Sequence, residues 1–403
     1  MISRYSYIKQ LRTFINTPQV KIITGIRRSG KSTVLKLLEK DLHDLGTAEQ
    51  QIILLNFESF AHSDLHDAQR LYKYIQSKIE PGNHYYLLLD EIQEVDNWEK
   101  AINSFMVDFD VDIYLTGSNS HMLSSELATY LAGRYVEIPI FTLSFSEYID
   151  FRKHYFNQQE TNKQMFLHYL RMGGFPVIHT VDYPEEAAYK VVYDIYSSVI
   201  LRDTIQRYNI RDIELLERVI KYAFDNVGKT FSGKNVADYF KSQQRKIDIN
   251  TIYNYLNALE GAFILYRVSR YDLKGKEILK TQEKFYLSDV SLLYSTMGFR
   301  DRMISGVLEN LIFLELKRRG YQPYVGKLGD KEIDFVAERK GQKIYIQVAY
   351  KIESNETAKR EFAPLLAIKD QYPKYVITMD DFWRDDIEGV KHIHIADFLL
   401  HNY

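Results

Sequence analysis

Residues Gly25-Ile26-Arg27-Arg28-Ser29-Gly30-Lys31-Ser32 spell G-x-x-x-x-G-K-S, set between the apolar run Val20-Lys21-Ile22-Ile23 and the helical pattern Val34-Leu35-Lys36-Leu37-Leu38. Glycine at either end lets the backbone fold back until successive N–H groups face one anionic centre, and the helix that follows adds the positive end of its dipole. The chemistry is that of a phosphate cradle running from Gly25 to Thr33. In it Lys31 reaches the β- and γ-phosphates of a nucleotide and the Ser32 hydroxyl is a Mg²⁺ ligand.

A cradle of this kind needs acids opposite it, and the runs that follow supply them. Continuous apolar stretches at 52–57, 85–89 and 111–115 alternate with patterns of helical length, which predicts a parallel sheet covered on both faces, with ligands collecting at the carboxyl ends of its strands. The second stretch ends in Asp90-Glu91: Asp90 is placed to hold Mg²⁺, directly or through water, and Glu91 to polarise the attacking water. The third ends in Thr116-Gly117-Ser118-Asn119-Ser120, where Ser118 or Asn119 can bond the γ-phosphate or the water. That role places this strand between the two others that reach the nucleotide.

These residues resemble the AAA-type branch of the phosphate-loop ATPases, in which a catalytic glutamate follows the Walker B aspartate and a polar sensor ends the neighbouring strand. The resemblance implies ATP and Mg²⁺ as ligands, with Lys31, Ser32, Asp90 and Glu91 at the centre and Ser118 and Asn119 competing for the sensor role. An arginine finger or sensor falls near Leu131-Ala132-Gly133-Arg134, which makes Arg134 the candidate; a finger acts on a neighbouring subunit.

The rest of the chain bounds what the cradle serves. A length of 403 residues accommodates two or three domains. Net charge is −2 and pI near 6.6, so no global field draws the protein to nucleic acid or acidic lipid. The absence of cysteine excludes disulfides, thiol catalysis and cysteine-ligated metal centres. No secretory signal and no bilayer-length apolar window is seen, which predicts a cytoplasmic protein without a membrane partner.

From Thr142 to about Arg207 the pattern is helical, broken at Met172-Gly173-Gly174-Phe175-Pro176, and looks like the helical lid of AAA-type proteins, with Arg202 able to approach phosphate. Three helices and two strand-like runs between about 213 and 287 describe a winged-helix module. Its third helix presents Asn250, Thr251, Tyr253 and Asn254, preceded by Lys241, Arg245 and Lys246, for duplex DNA or for protein contact. A helix opening at Gly306-Val307-Leu308-Glu309-Asn310, followed by strands holding Asp334 and Gln347-Val348-Ala349, resembles the restriction-endonuclease-like fold. The match departs in its chemistry. Gln347 is neutral where a carboxylate would balance a divalent cation, and Ala349 lacks the amine that Lys351 alone is placed to replace, so the nuclease is expected to be inactive. Glu332 shares the strand side of Asp334.

The four parts together resemble a prokaryotic family of predicted AAA-type ATPases with a C-terminal domain of unknown function and degenerate nuclease-like fold. The expected organisation is a P-loop ATPase domain at 1–142, a helical lid at 143–209, a winged-helix-like module at 210–295 and a nuclease-like α/β domain at 296–403. The expected function is an ATP-hydrolysing switch coupled to a C-terminal interaction platform, with protein partners or homo-oligomers. An ATP-gated DNA-binding or DNA-cleaving protein and a non-hydrolysing nucleotide sensor are the alternatives.

Overall fold

The apolar runs of the first third are strands buried on both faces. A computed structural model describes residues 2–120, 131, 133–156, 160–242, 247–381 and 386–401, with side chains except at 198–200, 280 and 281. Ala132, Arg245 and Lys246 lie outside the described residues. The chain forms two compact units, one of Met1–Thr142 with Gly261–Phe263, the other of Leu143–Glu260 with Ile264–Tyr403.

In the first unit β1 (Val20–Thr24), β2 (Ile52–Asn56), β3 (Tyr85–Asp90), β4 (Val111–Gly117) and β5 (Tyr135–Pro139) form a sheet of order β2-β3-β4-β1-β5, parallel throughout. The strand ending in the polar run thus lies between the strands of the cradle and the acids. Successive side chains point to opposite faces, so Ile23, Leu88 and Tyr114 pack under α1 (Tyr5–Arg12) and α2 (Lys31–Asp44). Ile22, Leu87, Leu89, Ile113 and Leu115 pack under α3 (Ala68–Lys78) and α4 (Trp98–Asp108). Burial on both faces explains why the runs read as continuous rather than alternating.

A buried ion pair crosses this apolar sheet. Lys21 on β1 is fully buried and ion-paired with Asp112 on β4, whose other oxygen accepts hydrogen bonds from the Tyr114 hydroxyl (2.9 Å) and the Asn16 N–H (2.9 Å). Removing one partner strands the other charge in the core.

The second unit begins with helices Phe145–Phe156, Asn162–Met172, Glu185–Asp194 and Arg202–Arg207. The break after Met172 has a local cause. Gly173 takes φ +71, a side-chain carbon there would lie 2.1 Å from Asp289 Oδ1, and the Gly174 N–H donates to Asp289 Oδ2 at 2.8 Å. Helices Ile213–Asp225, Gly233–Ser242 and Ile249–Gly261 follow, then the hairpin β7 (Leu265–Asp272) and β8 (Glu277–Leu287), with the short β6 (Thr230–Phe231) beside β8.

This hairpin does not end its sheet. β7 pairs in parallel with β9 (Gln322–Leu328), through Arg270↔Val325 to Asp272↔Lys327, and the sheet continues through β10 (Lys331–Arg339), β11 (Gln342–Val348), β12 (Lys374–Thr378) and β13 (Lys391–His394). Segments 210–295 and 296–403 therefore share one eight-stranded sheet, because the open edge of β7 takes β9 as its partner. β9 and β13 are strands that the sequence pattern did not announce. Among the described residues no helix is long and apolar enough to cross a membrane.

Lys21→Met should destabilise the protein by roughly 3 kcal/mol in urea unfolding, because Asp112 is left buried and unpaired, while the double variant Lys21→Met/Asp112→Leu should recover most of that loss.

Candidate functional site

The carboxyl ends of β1 to β4 carry the polar residues. The loop leaves β1 at Gly25, whose φ is +144, and a side-chain carbon there would stand 2.1 Å from the Ile140 carbonyl oxygen. Arg28 (φ +66) and Gly30 (φ +99) also turn left-handed, which folds the segment into a concave run of amides ahead of α2. Within it the Ser29 hydroxyl is buried with no hydrogen-bond partner among the described residues. Lys31, the first residue of α2, is 3% exposed; its ammonium donates to the carbonyls of Gly25 (3.1 Å) and Ile26 (3.4 Å) and lies 3.4 Å from Glu91 Oε1.

Asp90 ends β3 with both oxygens engaged. Oδ1 accepts from Thr116 Oγ1 (2.6 Å) and Ser32 Oγ (3.1 Å), and Oδ2 from Asn56 Nδ2 (3.0 Å). The next residue, Glu91, takes φ +53, a costly conformation for a side-chain-bearing residue, and its N–H donates to Thr116 Oγ1 at 2.8 Å. Its Oε2 accepts from Gln93 Nε2 (2.6 Å) and Ser118 Oγ (3.2 Å). One hydroxyl, that of Thr116, thus ties both acids to β4.

Both acids are buried, yet their pKa values shift in opposite directions. Burial raises the Asp90 pKa above the usual carboxylate range, with the Thr116 and Ser32 hydrogen bonds pulling the other way. Burial pushes Glu91 up as well, but Lys31, Gln93, Arg27 and Ser118 outweigh it and hold Glu91 below its ordinary value. Of the two, Glu91 gives up its proton the more readily. The Ser32 hydroxyl and Asp90 carboxylate, 3.1 Å apart, form a hard, all-oxygen donor set that fits Mg²⁺.

The fold brings Lys31, Ser32, Asp90, Glu91 and Ser118 together, with Asn119 buried beside Ser118 and Thr33 half-buried on the first turn of α2. Arg28 is exposed, and Arg27 pairs with Glu58 at 2.6 Å. Arg134 does not join them. It precedes β5 at the amino edge of the sheet, its carbonyl accepting from the Val20 N–H (2.9 Å) and its guanidinium held by Leu131 O (3.2 Å) and Asn103 Oδ1 (3.1 Å). Thr116, Asn56 and Gln93 were missed as site residues; the first two stand at strand ends, which was the available signal.

In the second unit, Arg202 is exposed on its helix, as are Lys241, Asn250 and Asn254. Thr251 is half-buried, and Tyr253 turns inward, its hydroxyl accepting from the Gly233 N–H at 3.4 Å. Glu309, Glu332 and Asp334 do converge, around a residue the sequence reading had not considered. The ammonium of Lys284, on β8, lies 3.1 Å from Glu309 Oε2, 3.0 Å from Glu332 Oε1 and 3.4 Å from Asp334 Oδ1; the Tyr286 hydroxyl donates to Glu309 Oε2 at 3.0 Å and the Val348 N–H to Asp334 Oδ2 at 2.8 Å. Lys351, the anticipated stand-in amine, is instead exposed, its Nζ 5.2 Å from the Tyr350 ring. Gln347 Oε1 is buried without a hydrogen-bond partner among the described residues, and Ala349 is buried. Burial opposes the charge of Lys284, but Tyr286 and the three acids hold its pKa well above the ordinary value. Arg270 adds a second cation, 3.7 Å from Glu332 Oε2, and Glu309 is the acid that holds its proton: burial, reinforced by Asp334, raises it to about 8.

Residues 17–149 match the family model of an AAA domain, and residues 163–302 that of a domain of unknown function, DUF8612. An uncharacterized protein of Haemophilus influenzae is 39% identical over 401 residues, covering 99% of both chains. The chain belongs to the AAA-type P-loop ATPase family. An uncharacterized protein of Methanocaldococcus jannaschii is 29% identical to this AAA-type chain over 363 residues, 87% of this chain and 79% of that one. A Walker-type ATPase of Pyrococcus abyssi superposes with TM-score 0.48 at 15% identity, over 73% of this chain and 95% of that one, and DNA-bound Orc1 of Aeropyrum pernix with TM-score 0.35 at 12% identity, over 77% and 92%.

The Glu309 carboxyl gives this AAA-type protein a pH signature. Because its folded pKa lies above its unfolded value, the folded state retains a proton that the unfolded chain releases between about pH 4.5 and 8, so stability from this group falls as pH rises through that window. Urea unfolding at pH 5 and pH 8 should show a loss of up to a few kcal/mol in the native protein and a smaller loss in Glu309→Gln.

Proposed function

We propose that the protein hydrolyses ATP and acts as a nucleotide-driven switch. The observation that carries this reading is the convergence of Lys31 and Ser32, at the head of α2, on Glu91 and Asp90, at the end of β3, at 3.4 and 3.1 Å. The concave run of amides from Gly25 to Gly30 and the amino end of α2 bind the phosphates, and Lys31 neutralises charge on the β- and γ-groups. Ser32 and Asp90 hold Mg²⁺, which when bound draws charge from the phosphate oxygens.

Glu91, anionic and fixed through Ser118 and Gln93, accepts the proton of the attacking water, and Asn119 or Ser118 senses the γ-phosphate. Phosphoryl transfer asks chiefly for placement and charge compensation, which these groups supply without a covalent partner. The second unit is the interaction platform. Its acidic centre already holds the Lys284 ammonium, which favours a docking role over strand cleavage.

Glu91→Gln should bind Mg·ATP with near-native affinity while phosphate release falls on the order of 10²- to 10⁴-fold. Lys31→Ala should abolish measurable nucleotide binding in calorimetry. Unchanged turnover in the first variant would remove Glu91 from the mechanism, and a native isotherm in the second would overturn the reading.

A further inference from the structure

The loop is held from outside by a residue far from the motif. Arg4, immediately before α1, is 2% exposed, and α1 fixes it: its carbonyl accepts from the N–H groups of Tyr7 (3.0 Å) and Ile8 (3.2 Å), while its guanidinium carbon lies 4.5 Å from the Tyr7 ring centroid. Arg4 Nη1 donates to the Ser29 carbonyl at 2.8 Å, and Nη2 to the carbonyls of Phe141 at 2.9 Å and Thr142 at 3.5 Å. The planar fork therefore spans two segments, the phosphate loop and the stretch after β5 against which Gly25 also leans through Ile140. A single ammonium cannot reproduce that fork.

A peptide group is planar and trans, so its C=O and the following N–H point in opposite directions. Holding the Ser29 carbonyl on Arg4 thus turns the Gly30 N–H away from Arg4.

We propose that Arg4 is a positioning residue for phosphate: it presets the Ser29–Gly30 peptide so that the Gly30 N–H meets the bound anion without reorganisation. The proposal rests on the nucleotide reading of the loop. It assigns Arg4 no contact with substrate; its effect passes through the backbone, and because the buried guanidinium is a fixed positive charge behind the loop, it also favours an anion in front.

The test uses the full chain with Arg4→Lys and Arg4→Met, titrated calorimetrically with Mg·ATP and with pyrophosphate, alongside thermal melts and hydrogen exchange of the Ser29 amide, which bonds to Ile26 O at 3.2 Å. Both ligands should weaken by the same factor, on the order of tenfold to a hundredfold, with faster Ser29 exchange in the ligand-free variants. A merely structural arginine would lower the melting temperature while the folded protein kept its affinity. Native affinity in folded Arg4→Lys, or a loss confined to ATP and absent with pyrophosphate, overturns the proposal. If Arg4→Met does not fold, Arg4→Lys, which keeps the charge, decides. If the native protein itself takes up no Mg·ATP, the nucleotide reading fails, and Ser29 exchange still judges Arg4: an unchanged rate rules out the clamp.

Discussion

Two adjacent carboxylates buried at the end of β3 set the terms for the first unit. A carboxylate taken out of water is tolerated only when its oxygens are met by donors or cations, and Asp90 and Glu91 demand this side by side. The strand ends at Asp90 and the chain turns at Glu91 with φ +53, so the two carboxylates draw on several elements at once. The sheet order answers this. β2 contributes Asn56, β4 contributes Thr116 and Ser118, and the loop after β1 contributes Lys31 and Ser32 through α2. The positive φ of Glu91 bends the chain so that its carboxylate meets Lys31, and Thr116 absorbs the N–H that this turn exposes.

Much of this was readable because it is local. The loop's glycines, Lys31 and Ser32 occur within eight residues, and Asp90-Glu91 is a dipeptide at the end of an apolar run; such signals survive without knowledge of the fold. The parallel sheet was legible for the same reason, since strands buried on both faces lose their alternation. What brings Thr116 to Asp90, or Arg4 to Ser29, is contact across 26 and 25 positions, and nothing in the spacing marks a threonine at a strand end as different from its neighbours. Arg134, named from the resemblance, precedes rather than follows its strand, and in a parallel sheet that puts it at the edge away from the loop of its own chain.

The second unit was harder to read because its sheet is assembled from distant segments. β9 contains Pro323 and Gly326, which weaken a strand pattern, yet it is held between β7 and β10, where Gly326 gives the room that a side-chain carbon, 2.7 Å from Val336, would take. Because β8 lies in that same sheet, Lys284 reaches Glu309, Glu332 and Asp334 from a segment assigned by pattern to a separate module. Lys351 is the amine that the adjacent sequence offers, whereas Lys284 lies 50 positions before Asp334.

Buried charge by itself does not mark a working site in this protein. Lys21 with Asp112, Lys284 with its acids, and Lys31 with Glu91 are all lysine–carboxylate contacts with little exposure. The first lies at the amino end of the sheet, where Asn16 and Tyr114 take up the second oxygen of Asp112. The second is a closed centre whose surplus of acid is relieved by keeping a proton on Glu309. The third differs in its backbone. The carbonyls that receive Lys31 belong to a loop turned left-handed at Gly25, Arg28 and Gly30, and its carboxylate partner is itself in a strained conformation. Strain and an inward-facing row of amides, added to paired charge, separate the arrangement built to receive an anion from those that only satisfy the core.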